Sequence, residues 1–255
     1  MVYLALTLWP LGEVYRALQL VEAAKIRMAG LTHIGSIAYG HLHGAVFALM
    51  RGDFAGAAKD GVAVAHLANE HDLSLWRAFG IFLKGWAAWR EGEKDRGRAE
   101  MRRGVALLEE QNAVIFDGLI KGTLAEAEAH DGELASGLAT LDSAIALSER
   151  TGQRAWDAEV LRTRGEILLE RNPGAPAPAE EAFLTAIAIA QAQKARSFEL
   201  RASLSLAKLY RSTGRDADAN AVLGPALQGF APTLEFPEIA EALALVPSIE
   251  ASAQL

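Results

Sequence analysis

Apolar side chains recur at helical spacing along almost the whole chain, without the sustained alternation that marks β-strands. The most apolar segment is LSLWRAFGIFLKGWAAWREG, residues 73–92. Its polar residues Arg77, Lys84 and Glu91 form one narrow stripe at seven-residue spacing. A helix that is apolar over most of its circumference is buried over most of it, as in the middle of a stack of helices. The pattern therefore predicts an all-α protein.

A 40-residue period runs through the sequence. It is marked by Gly12, Gly52, Gly92 and Gly132, continued by Asn172, and resumed after an insertion by Gly214. A glycine at these points allows one helix to end in a left-handed residue and the next helix to begin. Asn172 is expected to adopt the same conformation, because asparagine tolerates it.

Three further columns of residues share this period. Small residues stand seven positions before each marker, at Ala5, Ala45, Gly85, Ala125, Gly165 and Ala207. Others stand five positions after it, at Ala17, Ala57, Gly97, Gly137 and Ala219, with Ala182 in this role after the insertion. Aromatic residues stand sixteen positions before it, at Trp76, Phe116, Trp156 and Phe198. Each unit is therefore predicted to be a helical hairpin whose small residues allow close approach and whose aromatic fills the joint to the next unit.

The predicted architecture is a solenoid of about six antiparallel helical hairpins with a C-terminal capping helix, in one domain over residues 1–255. The hairpins are predicted at 1–30, 33–71, 73–112, 113–151, 153–195 and 197–230, and the cap at 235–246.

The spacing of small residue, glycine and alanine resembles the tetratricopeptide repeat. GDFAGA (52–57) resembles the turn of that repeat and LKGWAAWREG (83–92) its first helix. The usual repeat has ~34 residues, so this chain resembles the long-helix variety found in large bacterial signalling proteins. Residues 149–171 and 197–223 are similar to the C-terminal repeat region of bacterial proteins that join a cyclase-type or transcription-regulator domain to an NTPase module. The resemblance implies a right-handed solenoid that serves as an interaction or regulatory scaffold.

Composition excludes several classes of function. The hydrophobic content of 51% allows a large core, and the net charge of −7 disfavours nucleic-acid binding. No run of ~18 uninterrupted apolar residues predicts a membrane span. There is no cysteine, which fits a cytoplasmic protein, and the apolar start MVYLALTLWPLG is interpreted as a core helix rather than a signal peptide.

No residues in the sequence form a catalytic or metal-binding motif. His41 and His43 are two positions apart and His66 and His71 five apart, whereas a helical zinc pair needs three or four. The many carboxylates, among them Glu128, and the basic run from Lys94 to Arg103 are interpreted as solvated helix faces. No phosphate-binding loop or G-x-S-x-G motif occurs. We therefore expect no enzyme activity, cofactor or metal.

In tetratricopeptide geometry, which the resemblance implies, one face of each first helix lines a concave groove. The residues of that face proposed to bind are Tyr39, Leu42, Val46, Phe79, Phe82, Trp86, Trp89, Glu126, Arg162, Glu166, Lys208 and Arg211. The groove is predicted to be apolar in its N-terminal half and charged in its C-terminal half. The C-terminal charges, with Arg201 and Glu159 among them, are expected to pair locally and to leave a modest bias for acidic segments. The aromatic residues either pack inside a tightly wound superhelix or form a partner surface.

The pattern favours a non-enzymatic module that binds a peptide, a helix or a partner domain in this groove. The alternative is a sensor that holds a small apolar molecule in the N-terminal groove and regulates an attached or partner enzyme. The predicted first helix is also short and apolar, whereas the end of a solenoid normally carries a polar cap. We therefore expect self-association through residues 1–50, as a two-fold dimer, or coverage by an upstream domain. The alternative is that the first helix folds across the groove and seals it.

Overall fold

The structure, a computed structural model, describes residues 1–245. These residues form α-helices and no β-strand, which confirms the all-α prediction. The helices are α1 (Val2–Leu8), α2 (Val14–Met28), α3 (Ile34–Arg51), α4 (Phe54–Glu70), α5 (Ser74–Arg90), α6 (Lys94–Glu110), α7 (Asp117–His130), α8 (Leu134–Thr151), α9 (Asp157–Arg171), α10 (Ala177–Gln193), α11 (Arg196–Ser212), α12 (Asp216–Leu227) and α13 (Pro237–Leu245). Residue 246, the last of the predicted cap, lies outside the described residues.

The chain divides into two compact units. The first comprises residues 1–9 and 15–153, and the second residues 10–14 and the chain from Arg154 onward. In the first unit α3–α4, α5–α6 and α7–α8 pair as hairpins, α4 packs on α5, and α1 packs against α3. In the second, α9–α10 and α11–α12 pair, α10 packs on α11, and α13 packs on α11 and α12.

The hairpin-repeat prediction is thereby confirmed for these five pairs, whereas the hairpin predicted at 1–30 is not formed, because α1 packs against α3 rather than α2. The single domain over residues 1–255 stays a prediction. Each repeat of a solenoid contacts only its neighbours, so these contacts do not show whether the whole array folds as one domain.

The glycine period produces a repeated helix-ending turn. Positive φ angles occur at the predicted markers Gly12, Gly52, Gly92, Gly132 and Gly214. After four of them the next N–H donates to the carbonyl five positions back, at 2.8 Å from Asp53, 2.9 Å from Glu93, 2.8 Å from Glu133 and 2.8 Å from Arg215. This bond belongs to the Schellman motif, which satisfies a carbonyl that the helix end would leave unpaired.

The expectation for Asn172 is wrong. Its φ is −146°, so it does not adopt the left-handed conformation of the glycine markers. Pro173 follows it, and the proline ring forces the preceding residue toward extended backbone. The insertion that begins there therefore ends α9 by a different route from the other first helices.

The small residues bring the paired helices into close contact. All of those predicted to stand before and after the markers are buried. Gly85 of α5 and Gly97 of α6 lie at one such contact. A Cβ added to Gly85 would lie 2.8 Å from the carbonyl oxygen of Gly97 and 2.7 Å from the backbone nitrogen of Met101. The α5–α6 spacing therefore requires glycine at this position.

Two aromatic residues of the predicted column precede a helix instead of lying inside it. Helices α7 and α9 begin at Asp117 and Asp157 rather than at the predicted 113 and 153. Phe116 adopts a left-handed φ of 63° and Trp156 has φ of −109°, so neither continues a helix from the preceding turn. Both aromatics thus sit on the turn that introduces their hairpin.

Candidate functional site

The four aromatic residues predicted for the N-terminal groove lie inside the first unit. Phe79 and Phe82 are 0% exposed, and Trp86 and Trp89 are 4% exposed. Phe79 meets the ring of Phe116 at 6.3 Å between centroids, and Trp86 meets Phe54 at 5.4 Å. These side chains therefore pack inside the protein rather than forming a partner surface, because they have almost no exposed area that a partner could contact.

Trp89 connects two successive hairpins of the first unit. Its indole N–H donates to Asp131 Oδ2 at 2.9 Å, and its ring lies edge-on to His130 at 5.2 Å. The Lys94 ammonium sits 3.6 Å from the ring centroid. These contacts join the end of α5 to the turn after α7, so Trp89 has the joint-filling role that the sequence assigned to the Trp76 column.

Glu128 of α7 is buried in a polar cluster and not on the solvated face predicted for it. The residue is 1% exposed. Its carboxylate accepts hydrogen bonds from Arg102 Nε at 2.8 Å, Ser136 Oγ at 2.9 Å and Thr140 Oγ1 at 2.9 Å. A buried carboxylate needs such partners because it has lost its water.

Arg98 of α6 corrects the interpretation of the basic run as a solvated face. The residue is buried, and its guanidinium forms ion pairs with Asp95 at 2.6 Å, Asp131 at 3.1 Å and Glu133 at 2.5 Å. Arg102 also pairs with Glu133. Two of the five basic residues of the run thus hold α6 against the α7–α8 hairpin.

The remaining predicted groove residues of the first unit differ in exposure. Leu42 and Val46 are buried, whereas Tyr39 is 44% exposed and Glu126 is exposed. Tyr39 stacks on His43, one turn later on α3, with ring centroids 3.8 Å apart. Only Tyr39 and Glu126 of this part of the groove therefore present a surface.

His43 is a buried histidine in an aromatic surrounding. It is 2% exposed, and the rings of Tyr3 and Phe116 lie 5.8 and 5.4 Å from its own. Its Nδ1 lies 2.9 Å from the Tyr39 carbonyl, while Nε2 is buried without a hydrogen-bond partner. Burial lowers the His43 pKa below its ordinary value of 6.5, and the hydrogen bond to Tyr39 offsets part of this.

We expect His43 to make the protein less stable in mild acid. Above pH 6.5 the imidazole is neutral in both states. As the pH falls below that value, His43 binds a proton in the unfolded chain but not in the folded chain. The free energy of unfolding therefore falls until the pH passes the lower pKa of His43 in the folded protein. The slope from one such group is at most about 1.4 kcal/mol per pH unit.

Denaturant unfolding between pH 8 and 5 tests this expectation. His43→Phe should flatten the pH dependence. Equal pH profiles for the wild type and His43→Phe would contradict it.

A cavity of about 220 Å³ lies beneath α2 in the first unit. Apolar side chains form most of its wall, and its lining residues are Met1, Val2, Val21, Ala24, Lys25, Arg27, Met28, Leu31, Ser36, Tyr39, Gly40, Gly44 and Asp60. Two glycines let wall side chains pack directly on α3: a Cβ at Gly40 would collide with the Met28 sulfur, and one at Gly44 would lie 2.6 Å from Asp60 Oδ2. Asp60 Oδ1 pairs with His41 at 2.8 Å. The cavity is thus apolar with one carboxylate at its wall.

The predicted C-terminal groove residues lie together on α9 and α11 of the second unit. We call Arg162, Glu166, Arg201, Lys208 and Arg211 the charged face. Arg162 pairs with Glu166 at 2.7 Å, and both Arg162 and Arg201 approach Glu159, at 3.2 Å each. The expected local pairing is therefore present at these residues.

Helix α13 lies on the charged face. Arg201 Nε donates to Glu238 Oε1 at 2.7 Å, and Lys208 Nζ pairs with Glu241 at 2.7 Å. Arg211 donates to the carbonyl oxygen of Leu245 at 2.6 Å. Arg201, Lys208 and Arg211 of α11 therefore contact, in that order, the first turn, the middle and the C-terminal end of α13.

The apolar side of α13 completes this contact. Ile239 and Ala242 are buried, and Phe236, just before the helix, is fully buried with the Arg201 guanidinium 5.6 Å from its ring. The fit is imperfect, since Glu238 Oε2 is buried without a hydrogen-bond partner. The sequence predicted a terminal helix, but it gave no indication that this helix would lie on the groove residues. Glu238 and Glu241 were therefore missed.

Among residues 1–245, no group of three or more His, Asp or Glu side chains is placed to hold a metal ion. Within the same range, no helix has the length and apolarity that crossing a bilayer demands.

Comparison with known proteins supports the fold and leaves the activity open. No protein-family profile matches the chain. A protein of Rhizobium meliloti (strain 1021) named "Uncharacterized protein R02095" is 28% identical over 217 residues, which are 83% of this chain and 20% of that protein. The chain thus spans about one fifth of that relative's length.

Among solved structures, the crystal structure of BtubC (BKLC) from P. vanneervenii has a TM-score of 0.59 with this chain. The match covers 86% of this chain and 92% of that chain at 17% identity. At such an identity the likeness indicates a shared all-helical, repeat-like fold and nothing further.

Proposed function

We propose that this chain is a non-enzymatic, tetratricopeptide-like interaction module that binds an acidic helical segment of a protein partner on its charged face. The observation that carries the proposal is the position of α13, an acidic helix seated on that face through Arg201, Lys208 and Arg211. A bacterial signalling or regulatory protein in the cytoplasm is the setting that the sequence resemblance suggests.

The chemistry of the face defines the partner. Three cationic groups on α11 favour a segment with two carboxylates on one side, spaced like Glu238 and Glu241. An apolar side chain next to each carboxylate would fill the positions that Ile239 and Ala242 occupy. Such an amphipathic segment docks as a helix in a groove, where apolar contacts supply affinity and charge supplies orientation and association rate.

Fluorescence polarisation with a labelled synthetic peptide of residues 235–245 tests this proposal. We expect saturable binding to the full chain that weakens with added salt. In a chain whose α13 is loosened by Ile239→Gln, Lys208→Glu should weaken it about fivefold or more, since it places a negative charge where Glu241 of the peptide docks. Arg171→Glu, on the same unit but outside the charged face, should not change it.

The docking arrangement has its own control. A peptide in which Glu241 is replaced by Lys should bind the Lys208→Glu chain better than the unmodified peptide does. Absence of saturable binding, both to the wild type and to a chain with weakened α13 contacts, would contradict the proposed function.

A second candidate function rests on the cavity beneath α2. Its volume and apolar wall suit a small apolar ligand, and the module would then act as a sensor for an attached or partner enzyme. Native mass spectrometry of the purified chain tests this: a bound small molecule that is lost in Gly40→Leu supports the sensor. A single protein mass without adduct, for protein purified from its own cell, would count against it.

Coverage of the N-terminal region by a second copy or by another domain also remains a proposal. It is supported by apolar side chains that are exposed on α1, α2 and the start of α3, namely Met1, Tyr3, Leu4, Tyr15, Ile26, Leu31 and Tyr39. Self-association through residues 1–50 is one way to cover them. A neighbouring domain is another, in line with the greater length of the Rhizobium relative.

A further inference from the structure

We propose that α13 is a displaceable internal occupant of the charged face, so that a partner segment must compete with α13 for Arg201, Lys208 and Arg211. This inference rests on the proposed function and adds its regulation and the pattern of the partner. The expected partner carries acid, apolar, any residue, acid, apolar in succession, as in Glu238 to Ala242.

Helix α13 is held weakly compared with the helices it covers. It has nine residues, a length at which an isolated helix is marginal in water. It buries two side chains, Ile239 and Ala242. The ion pair of Lys208 with Glu241 joins side chains that are 49% and 53% exposed, and such pairs contribute little to stability.

The carboxylate of Glu238 also favours displacement. One oxygen accepts from Arg201, while the other is buried with no hydrogen-bond partner. An unpaired buried oxygen carries a desolvation penalty that release of α13 would remove. A partner acid that satisfied both oxygens would therefore bind better than Glu238 does.

The segment before α13 is anchored independently of it. Phe236 is fully buried and meets the ring of Phe230 at 5.6 Å. The Arg196 guanidinium lies 5.3 Å from the Phe230 ring and donates to the Gln228 carbonyl. Release can thus begin at Pro237 and expose the charged face while the chain up to Phe236 stays in place.

Tethering sets the strength of the competition. A segment held by a short tether acts at an effective concentration of about 1 mM. If the free segment bound the face with a dissociation constant of about 0.1 mM, its tethered form would reduce a partner's affinity about tenfold.

The test uses the full chain, two ways of loosening α13 and one matched control. Glu238→Gln with Glu241→Gln removes the acids, and Ile239→Gln removes an apolar anchor without adding charge. Glu170→Gln with Glu181→Gln makes the same change in net charge at exposed positions of the second unit. Hydrogen exchange reports the protection of residues 237–245, and the labelled 235–245 peptide reports access to the charged face.

We expect both α13 variants to lose protection in residues 237–245 while α9 and α11 stay protected. The peptide should bind them about tenfold more tightly than it binds the wild type or the control. Unchanged protection, or lost protection with unchanged peptide affinity, would overturn the inference and leave the proposed function standing. Lost protection with no peptide binding to any chain would instead overturn the proposed function. If the double variant also loses protection in α11, the comparison with the wild type is made with Ile239→Gln alone.

Discussion

Leucine in place of Gly85 is expected to lower the free energy of unfolding by about 3 kcal/mol, at the upper end of the usual effect of overpacking. The added Cβ alone would lie 2.7 Å from the Met101 nitrogen and 2.8 Å from the Gly97 oxygen. Both are backbone atoms of α6, so no side-chain rotation can make room. Helices α5 and α6 would have to separate, and the aromatic residues packed behind them would lose contacts.

Gly122 provides the matched control, because it also lies inside a helix of the first unit but has nothing within 4 Å of its added Cβ. Gly122→Ala should stabilise the protein by up to about 1 kcal/mol, the difference in helix propensity between the two residues. Denaturant unfolding followed by circular dichroism measures both variants. Equal stability of Gly85→Leu and the wild type would show that α5 and α6 do not meet at this glycine.

Removal of the Glu128 carboxylate is the second change expected to have a large effect. Glu128→Ala should cost about 3 kcal/mol, because it leaves two hydroxyls without their acceptor and empties the buried space that the carboxylate fills. The Arg102 guanidinium would keep Glu133 as a partner. Ser136 and Thr140 would lose the carboxylate that accepts from their hydroxyls.

Two comparisons isolate this effect. Glu128→Gln keeps the shape and some of the hydrogen bonds, so we expect an intermediate loss. Glu149→Ala, at an exposed position of α8, should change stability by no more than about 0.5 kcal/mol. Thermal unfolding of the three variants gives the order, and a Glu128→Ala chain as stable as Glu149→Ala would mean that the buried cluster is not formed.

The period of the sequence predicted the helical hairpins because it reports local chemistry. Gly52 and Gly132 end helices through a left-handed residue, which glycine adopts without a steric cost. Gly85 and Ala125 are small because a neighbouring helix lies against them, and both are buried. Asn172 was predicted wrongly because its neighbour Pro173 decides its conformation, and that effect is also local.

The site was predicted less completely than the fold. The sequence predicted that the residues of the charged face share one side of α9 and α11, and Arg162 and Glu166 pair as expected. It left the burial of the aromatic face open, because helical spacing says which residues share a face but not how closely the next helix covers that face. Phe79 and Trp86 stand on a face that the protein itself covers.

By itself, the sequence determined the all-α class, the repeat and the positions of the turns, since backbone preference and helical periodicity depend on residues close together in the chain. Only the tertiary structure decided which charges are buried and what lies on the charged face. Glu128 is buried because residues from α6 and α8 surround it, and α13 reaches Arg201 from 37 positions away. Contacts at such separations depend on how whole helices pack, and a charged side chain has the same local pattern whether water or another helix covers it.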